Sequence, residues 1–482
     1  MATTIVKNAV VLTMNQRNEI IENGSIVIEG TEIRDVGPIS DIAKKYAAEK
    51  EIDASGMVAM PGLINGHNHL CVPPPRATYD DKDIMQYFLE IYAMANKFTE
   101  DVVYKLSLLS GLEALQSGTT YINSYGHLTQ SLEEAEIRAL EELGLRAMVC
   151  TWMQDIMHPL RMGREEQLEQ AATLAERYSS RERIRFALGP TAIDEGEIAT
   201  TREFLRGIAA IAKENNLRVH THAIGAAGEK DIPLGMWQEL GLVNCNMIAV
   251  HCLGAGRENI KAFGKHGVSV VHCPAVWAKM GRHHAPWIPL REMMKQGINV
   301  SLGTDGPGLN SHSDMFREMR DCGLLNNFTS MKPWLSQDDI LRMATINGAK
   351  TLGMEKEVGS LEPGKRADVI LVDLNKPHLR PLNNVVGLMV YAATGQDVDT
   401  VIINGKVVME KRKVLGVDEA RVMNDAKEAF DELHEAAGWK TSLSVAAKPK
   451  TPVFLRLPNK AQMMKAMVKW AGKRLLGGLV GR

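Results

Sequence analysis

Between residues 61 and 360, short apolar runs closed by polar residues alternate with segments of helical period, and no other feature restricts the fold of this chain so strongly. The runs are Leu63 to His69, Thr119 to Ser124, Ala147 to Trp152, Ile184 to Gly189, Leu217 to His222, Met247 to His251, Val268 to His272 and Ile298 to Asp305. Intervening stretches such as Leu132 to Leu143 and Gln167 to Tyr178 place apolar residues at i, i+3, i+4 and i+7, as a helix with one buried face does. Eight strand–helix units of this kind predict an α/β fold of the TIM (β/α)8 barrel type, with a doubly wound sheet as the competing topology. The placement of the polar residues favours the barrel. Histidines and an aspartate close several runs at their C-terminal ends, the face on which such barrels assemble their sites.

Outside this middle the texture changes. Gly24 to Gly30 and Thr31 to Val36 alternate apolar and polar residues between glycine turns, and the pattern returns in Ala367 to Asp373 and Thr400 to Val408. Half-buried antiparallel strands are expected there. The expected division is residues 1–60 and 361–415 for a β-rich unit built from both flanks, 61–360 for the barrel, and 416–482 for a helical extension. With 482 residues, 45% of them hydrophobic and 24% charged, the chain can bury a large core, and neither a disordered nor a coiled-coil class fits. The opening residues lack the pattern of a signal peptide, and no apolar run reaches the ~18 residues of a membrane span, so the expected compartment is the cytoplasm. Six cysteines without a CxxC pair read as buried thiols.

Residues 440–482 hold ten Lys and Arg and no Asp or Glu, against a chain total of −2, so a basic tail follows an acidic body. Within it, residues 459–476 set Met463, Met464, Met467, Val468, Ala471, Leu475 and Leu476 on one helical face with lysines around the rest. Such a helix is expected to dock on its own barrel or across a dimer, with peripheral contact to an anionic membrane surface as the alternative. Nucleic-acid binding is not expected of the main domain.

Four of the strand ends carry residues able to bind one metal ion. His67 and His69 stand at i and i+2 on the first strand and so share a face; His220 and His222 repeat the spacing on the fifth. His251 closes the sixth strand and Asp305 the eighth. A lone strand histidine is usually structural, but this many polar residues at the ends of core strands would be costly to bury without a shared purpose. Imidazoles with a carboxylate form an N/O set suited to one divalent ion, zinc first, with iron or manganese as alternatives.

The segment Pro61-Gly62-Leu63-Ile64-Asn65-Gly66-His67-Asn68-His69 resembles the opening signature of the amidohydrolase superfamily. His220-Thr221-His222, Val250-His251-Cys252, His272-Cys273-Pro274 and Gly303-Thr304-Asp305-Gly306 follow in that superfamily's order, and Gly359 to Asp368 resembles the segment that leads back to its small β-sandwich domain. The resemblance covers about residues 4 to 415 and is nearest to the cytosine deaminase, adenosylhomocysteine deaminase and triazine hydrolase group. It implies a barrel with a β-sandwich formed by the N- and C-terminal flanks, a homo-oligomer, and a single metal held by His67, His69, His222 and Asp305. It also implies catalytic roles for Asp305, as the group that takes a proton from water, and His251, which orients that water and stabilises charge on the adduct.

Two positions depart from the deaminating relatives. Gly225 stands where they keep a proton-shuttling glutamate, with Glu229 the nearest substitute, and Trp277 stands where they carry an asparagine. Trp152, Trp277, His127 and His312 are the residues expected to touch a small-molecule substrate. Ring deamination without the glutamate forgoes general-acid help worth ~10² to 10⁴-fold. The sequence therefore favours metal-dependent hydrolysis of an amide, urea or carbamate C–N bond in a small, fairly apolar molecule by metal-activated hydroxide. Deamination or dechlorination of an N-heterocycle of triazine, purine or pyrimidine type is the alternative, and a non-catalytic assembly protein the second.

Overall fold

The computed structural model describes residues 3–70, 77, 84–156, 158–179, 181–191, 193, 199–224, 232–280, 287–330, 332–440 and 448–449. Gly225, Glu229 and the basic stretch 459–476 lie outside them.

Five strands precede the long middle: β1 (Thr3–Leu12), β2 (Ile20–Glu29), β3 (Glu32–Pro38), β4 (Lys50–Asp53) and β5 (Met57–Pro61). The middle supplies β6 (Leu63–Asn68), β7 (Thr119–Tyr125), β8 (Arg146–Met153), β9 (Ile184–Pro190), β10 (His220–Ile224), β11 (Ile248–Leu253), β12 (Ser269–His272) and β13 (Val300–Leu302). The far flank adds β14 (Val369–Asp373), β15 (Val398–Ile403), β16 (Lys406–Glu410) and β17 (Lys413–Val414).

The flanks meet in one nine-stranded sheet, ordered β17-β16-β15-β14-β5-β1-β2-β3 with β4 also on β1. Its junction is the antiparallel pair β5 and β14, in which Pro61 faces Val369 and Met57 faces Asp373. Val6, Ala9, Val11, Ile26, Ile28, Val369, Leu371 and Ile402 fill its core, which is why the alternation was readable in both flanks.

The middle is α/β and TIM-barrel-like. Its eight strands run parallel in two four-stranded sheets, β6-β7-β8-β9 and β10-β11-β12-β13. A parallel bridge from Leu188 to Val219 links β9 to the chain entering β10. On the other side no ladder joins β13 to β6 among the described residues, yet the two ends meet: the Asp305 N–H donates to the His67 carbonyl at 3.0 Å. That approach needs Gly303, because a Cβ there would stand 2.7 Å from the His67 nitrogen. Strands β6, β7, β8 and β11 are buried at every residue, as parallel strands covered by helices are.

All eight strands differ from their sequence-based bounds by a residue or more, and two by three residues at one end. β10 starts at His220 rather than Leu217, and β13 stops at Leu302 rather than Asp305. Asp305, beyond the end of β13, takes a left-handed φ of 60°. The flank and the middle are riveted by Arg146 at the start of β8. Its guanidinium forks onto Asp368 at 2.7 and 3.3 Å and reaches Asn404 at 2.8 Å, with both charged side chains almost fully buried. No helix among the described residues is long and apolar enough to cross a membrane.

Candidate active site

The C-terminal ends of β6, β10, β11 and β13 converge. Ligand atoms of His67, His222 and His251 lie within 4.8 Å of one another, and so do those of His67, His69 and Asp305. The Asp305 carboxylate is the common neighbour, with Oδ1 3.8 Å from His67 Nε2 and 3.5 Å from His69 Nε2, and Oδ2 3.6 Å from His251 Nε2. These separations exceed hydrogen bonds; they are the spacing of groups arranged around a shared centre.

The imidazole tautomers suit that purpose. His69 Nδ1 lies 2.9 Å from the Tyr125 carbonyl and His222 Nδ1 3.2 Å from the Thr191 carbonyl. A carbonyl accepts only, so each Nδ1 carries the proton and each Nε2 offers a bare lone pair to the centre. His67 Nε2 is fully buried and meets no hydrogen-bond partner among the described residues, which fits a metal ligand. Burial holds all of these histidines neutral, reinforced by neighbouring rings at His67, His69 and His251: His69 is pushed down to about 3, His222 to about 4, and His67 and His251 well below the ordinary value. Burial pushes the Asp305 carboxyl the other way, up to about 7, opposed by the Gly306 N–H that donates to Oδ1 at 2.7 Å. A buried carboxyl beside unprotonated imidazoles is a donor set that fits one divalent cation.

Asp305 is held by more than its own strand. Asn65 and Asn68 both donate to Thr304 Oγ1, at 2.7 and 2.8 Å, and Asn68 also reaches the Asp305 carbonyl at 3.1 Å. Asn310 donates to the Thr304 carbonyl at 2.6 Å and to Glu318 at 2.9 Å. These asparagines, Thr304 and Glu318 were not singled out by the sequence reading. Their signal was weak, since Asn65 and Thr304 are 239 residues apart. His251 and Cys252 take left-handed φ values of 71° and 52°, as Asp305 does at 60°. Non-glycine residues in that region are strained, and here the strain sits where two strand ends turn toward the centre.

The residues expected to meet substrate have different surroundings. Trp277 packs edge to face on His251 with ring centroids 5.1 Å apart and is buried. Trp152, the penultimate residue of β8, donates to Gln154 at 3.3 Å, and Tyr92 donates to the same oxygen at 2.7 Å. His127 turns its Nε2 toward Glu136 at 3.0 Å, while its backbone N–H donates to Glu133 at 2.8 Å. His312 Nδ1 accepts the Asp314 N–H at 3.2 Å within a turn. Asn123 and Tyr125 are buried on β7.

Comparison with known proteins agrees with this geometry. Residues 58–408 match the amidohydrolase family model. The chain is 34% identical to a 5′-deoxyadenosine deaminase of Methanosarcina barkeri over 443 residues, 90% of this chain and 99% of that protein. It is 33% identical to a 5-methylthioadenosine/S-adenosylhomocysteine deaminase of Pelotomaculum thermopropionicum, covering 89% of this chain and 98% of the relative. Among solved structures, a zinc-bound adenosine deaminase from Xanthomonas campestris superposes with a TM-score of 0.83 at 26% identity, covering 90% of this chain and 99% of the other. A zinc complex of an atrazine chlorohydrolase from Arthrobacter aurescens gives 0.78 at 25% identity, covering 89% and 100%.

Proposed function

The chain belongs to the amidohydrolase family, and from that premise we propose that it deaminates a purine-nucleoside-like substrate by metal-dependent hydrolysis. It is a hydrolase of carbon–nitrogen bonds other than peptide bonds. The observation that carries the reading is the convergence of His67, His69, His222, His251 and Asp305 on one centre, in a chain aligned almost end to end with adenosine-type deaminases. Deamination thereby moves ahead of the amide, urea or carbamate cleavage that the sequence alone favoured.

His67, His69, His222 and Asp305 would hold the ion, with zinc the first candidate, and a cation there acidifies water and polarises the carbon under attack. Asp305 takes the proton of the attacking water and returns it to the leaving amine. His251 faces the same carboxylate from the far side and stabilises charge as the ring carbon becomes tetrahedral. Trp277 and Trp152 supply apolar walls, and His127 and His312 shape the surrounding loops. We read the two parallel sheets as halves of one closed barrel over residues 61–360, the nine-stranded sheet as the sandwich of the two flanks, and a homo-oligomer as the assembly.

Gly225 favours a second reading. Without a carboxylic acid at that position, cleavage of an amide, urea or carbamate has the simpler proton inventory, since no ring nitrogen needs protonation. The deciding experiment incubates zinc-loaded protein with 5′-deoxyadenosine and methylthioadenosine beside a panel of aryl amides, ureas and carbamates. Ammonia and the 6-oxopurine are expected from the nucleosides. Inert nucleosides, with an amine and an acid released from the second panel, would replace the first reading by the second.

A further inference from the structure

Behind the metal-facing side of His67 lies a chain of buried polar groups that the chemistry above leaves unused. His67 Nδ1 is 3.0 Å from His220 Nε2, His220 Nδ1 is 3.2 Å from Cys150 Sγ, and Cys150 Sγ is 3.3 Å from Asn123 Oδ1. Asn123 Nδ2 completes the chain at 2.8 Å from the carbonyl of Gly66, the residue preceding His67. All four side chains are fully buried, so water does not complete any of these bonds.

We propose that His220, Cys150 and Asn123 are positioning residues, a hydrogen-bond relay of fixed polarity that locks His67 in the tautomer able to bind a metal. The polarity follows from its far end. The Gly66 carbonyl can only accept, so the Asn123 amide must turn its NH2 to it and its oxygen to Cys150. That oxygen also only accepts, so the thiol donates its proton to Asn123 and leaves sulfur lone pairs toward His220. His220 then spends its one proton on Cys150, through Nδ1, and presents a bare Nε2. His67 is the remaining donor, through Nδ1, and its own Nε2 is left unprotonated at the centre where Asp305, His69 and His222 converge. The opposite tautomer of His67 would aim a buried N–H into the site and set two lone pairs against each other at His220. For His69 and His222 a backbone carbonyl does this work directly; His67 is fully buried, its Nδ1 hydrogen-bonds to no carbonyl among the described residues, and side chains from β7, β8 and β10 take over. Burial also pushes the Cys150 thiol well above its ordinary value, which keeps the proton the relay requires.

The inference rests on the metal-holding reading of the site but on no particular substrate. It is tested by the zinc affinity of the full-length protein, measured by competition with a chromophoric chelator, for wild type, Cys150→Ala, Cys150→Ser and His220→Leu. Circular dichroism and gel filtration establish that each variant is folded. Outer partners of metal-bound histidines are typically worth 10- to 100-fold in affinity. Cys150→Ala and His220→Leu are expected to weaken zinc binding by roughly 10-fold or more. Cys150→Ser, whose hydroxyl both donates and accepts, is expected to stay within about threefold of wild type. Should His220→Leu fail to fold, the Cys150 pair still decides. Equal affinities for alanine and serine, whether both normal or both weak, would overturn the relay. A wild-type protein that takes up no zinc would overturn the metal reading beneath it.

Discussion

At the scale of single residues, Asp305 has the sharpest consequence. Its carboxyl is the shared neighbour of three imidazoles, and burial in the metal-free protein pushes it up to about 7. Asp305→Asn keeps the shape and the Gly306 contact but removes the base, so turnover of whichever panel proves active is expected to fall ~10² to 10⁴-fold in folded protein. Turnover within threefold of wild type, at equal zinc content, would sink the mechanism. A second expectation concerns Gly225. If ring deamination proceeds here without its usual acid, Gly225→Glu should raise kcat on the nucleoside while leaving any amide or urea cleavage unchanged, and steady-state kinetics on both substrates checks it. The metal-facing residues were legible in the sequence because ionisable groups at the ends of core strands are costly without a common ion. Asn65, Thr304, Cys150 and Asn123 were not legible. Each is an ordinary polar or small residue whose meaning comes from a partner far along the chain, and no local pattern reports such a partner.

At the scale of elements, the geometry of the centre depends on how closely β13 can lie against β6. Gly303 sets that distance. A Gly303→Ala methyl would fall 2.7 Å from the His67 nitrogen and 2.9 Å from its Cβ, both on a strand that cannot move without carrying the metal ligands with it. Overpacking of this kind costs about 1–3 kcal/mol, and here the shift displaces Asp305, so activity is expected to drop by more than the lost stability would explain. Parallel urea titration and kinetics on the folded fraction separate the two effects. A different element contact carries stability alone. Arg146→Ala would leave Asp368 buried without its partner and is expected to cost ~3–5 kcal/mol in urea unfolding while the metal site, at the opposite end of β8, keeps its zinc affinity. The strands themselves were readable because parallel strands covered on both faces are continuous apolar runs. Their ends were less so: β13 is three residues long, and Asp305 lies beyond it with a left-handed φ of 60°, a demand of the site that propensity does not encode.

At the scale of the whole molecule, the unusual quantity is the number of proton sites whose affinities folding changes in opposite directions. His158 is pushed down to about 4 and His272 to about 3, both by burial, and His67, His69, His220, His222 and His251 are lowered as well. Against them, burial raises Glu133 and Glu318 well above the ordinary carboxyl value and Asp305 to about 7. For the histidines the unfolded chain binds protons near 6.5 that the folded chain refuses, so their contribution is complete above that pH and is lost as the pH falls toward 3. For the buried acids the folded chain keeps protons that the unfolded chain has released. Their contribution is therefore complete below about 4 and declines as the pH rises through their folded values. Between pH 6.5 and 4.5 the histidines outnumber the acids, so acidification destabilises on balance; above neutrality the histidines are silent and the acids set the slope, joined toward pH 9 by the buried thiols that burial also raises. The metal-free protein is accordingly expected to be most stable near pH 6.5, with urea midpoints falling on both sides and more steeply on the acid side. The His158→Gln variant isolates one term away from the metal centre, and its acid limb should be shallower by about one proton at most. A midpoint that rose steadily from pH 7 down to pH 4.5 would show that the burial of the histidine cluster does not govern stability. Loading with zinc should steepen the acid limb, because the same lone pairs then serve an ion that protons displace.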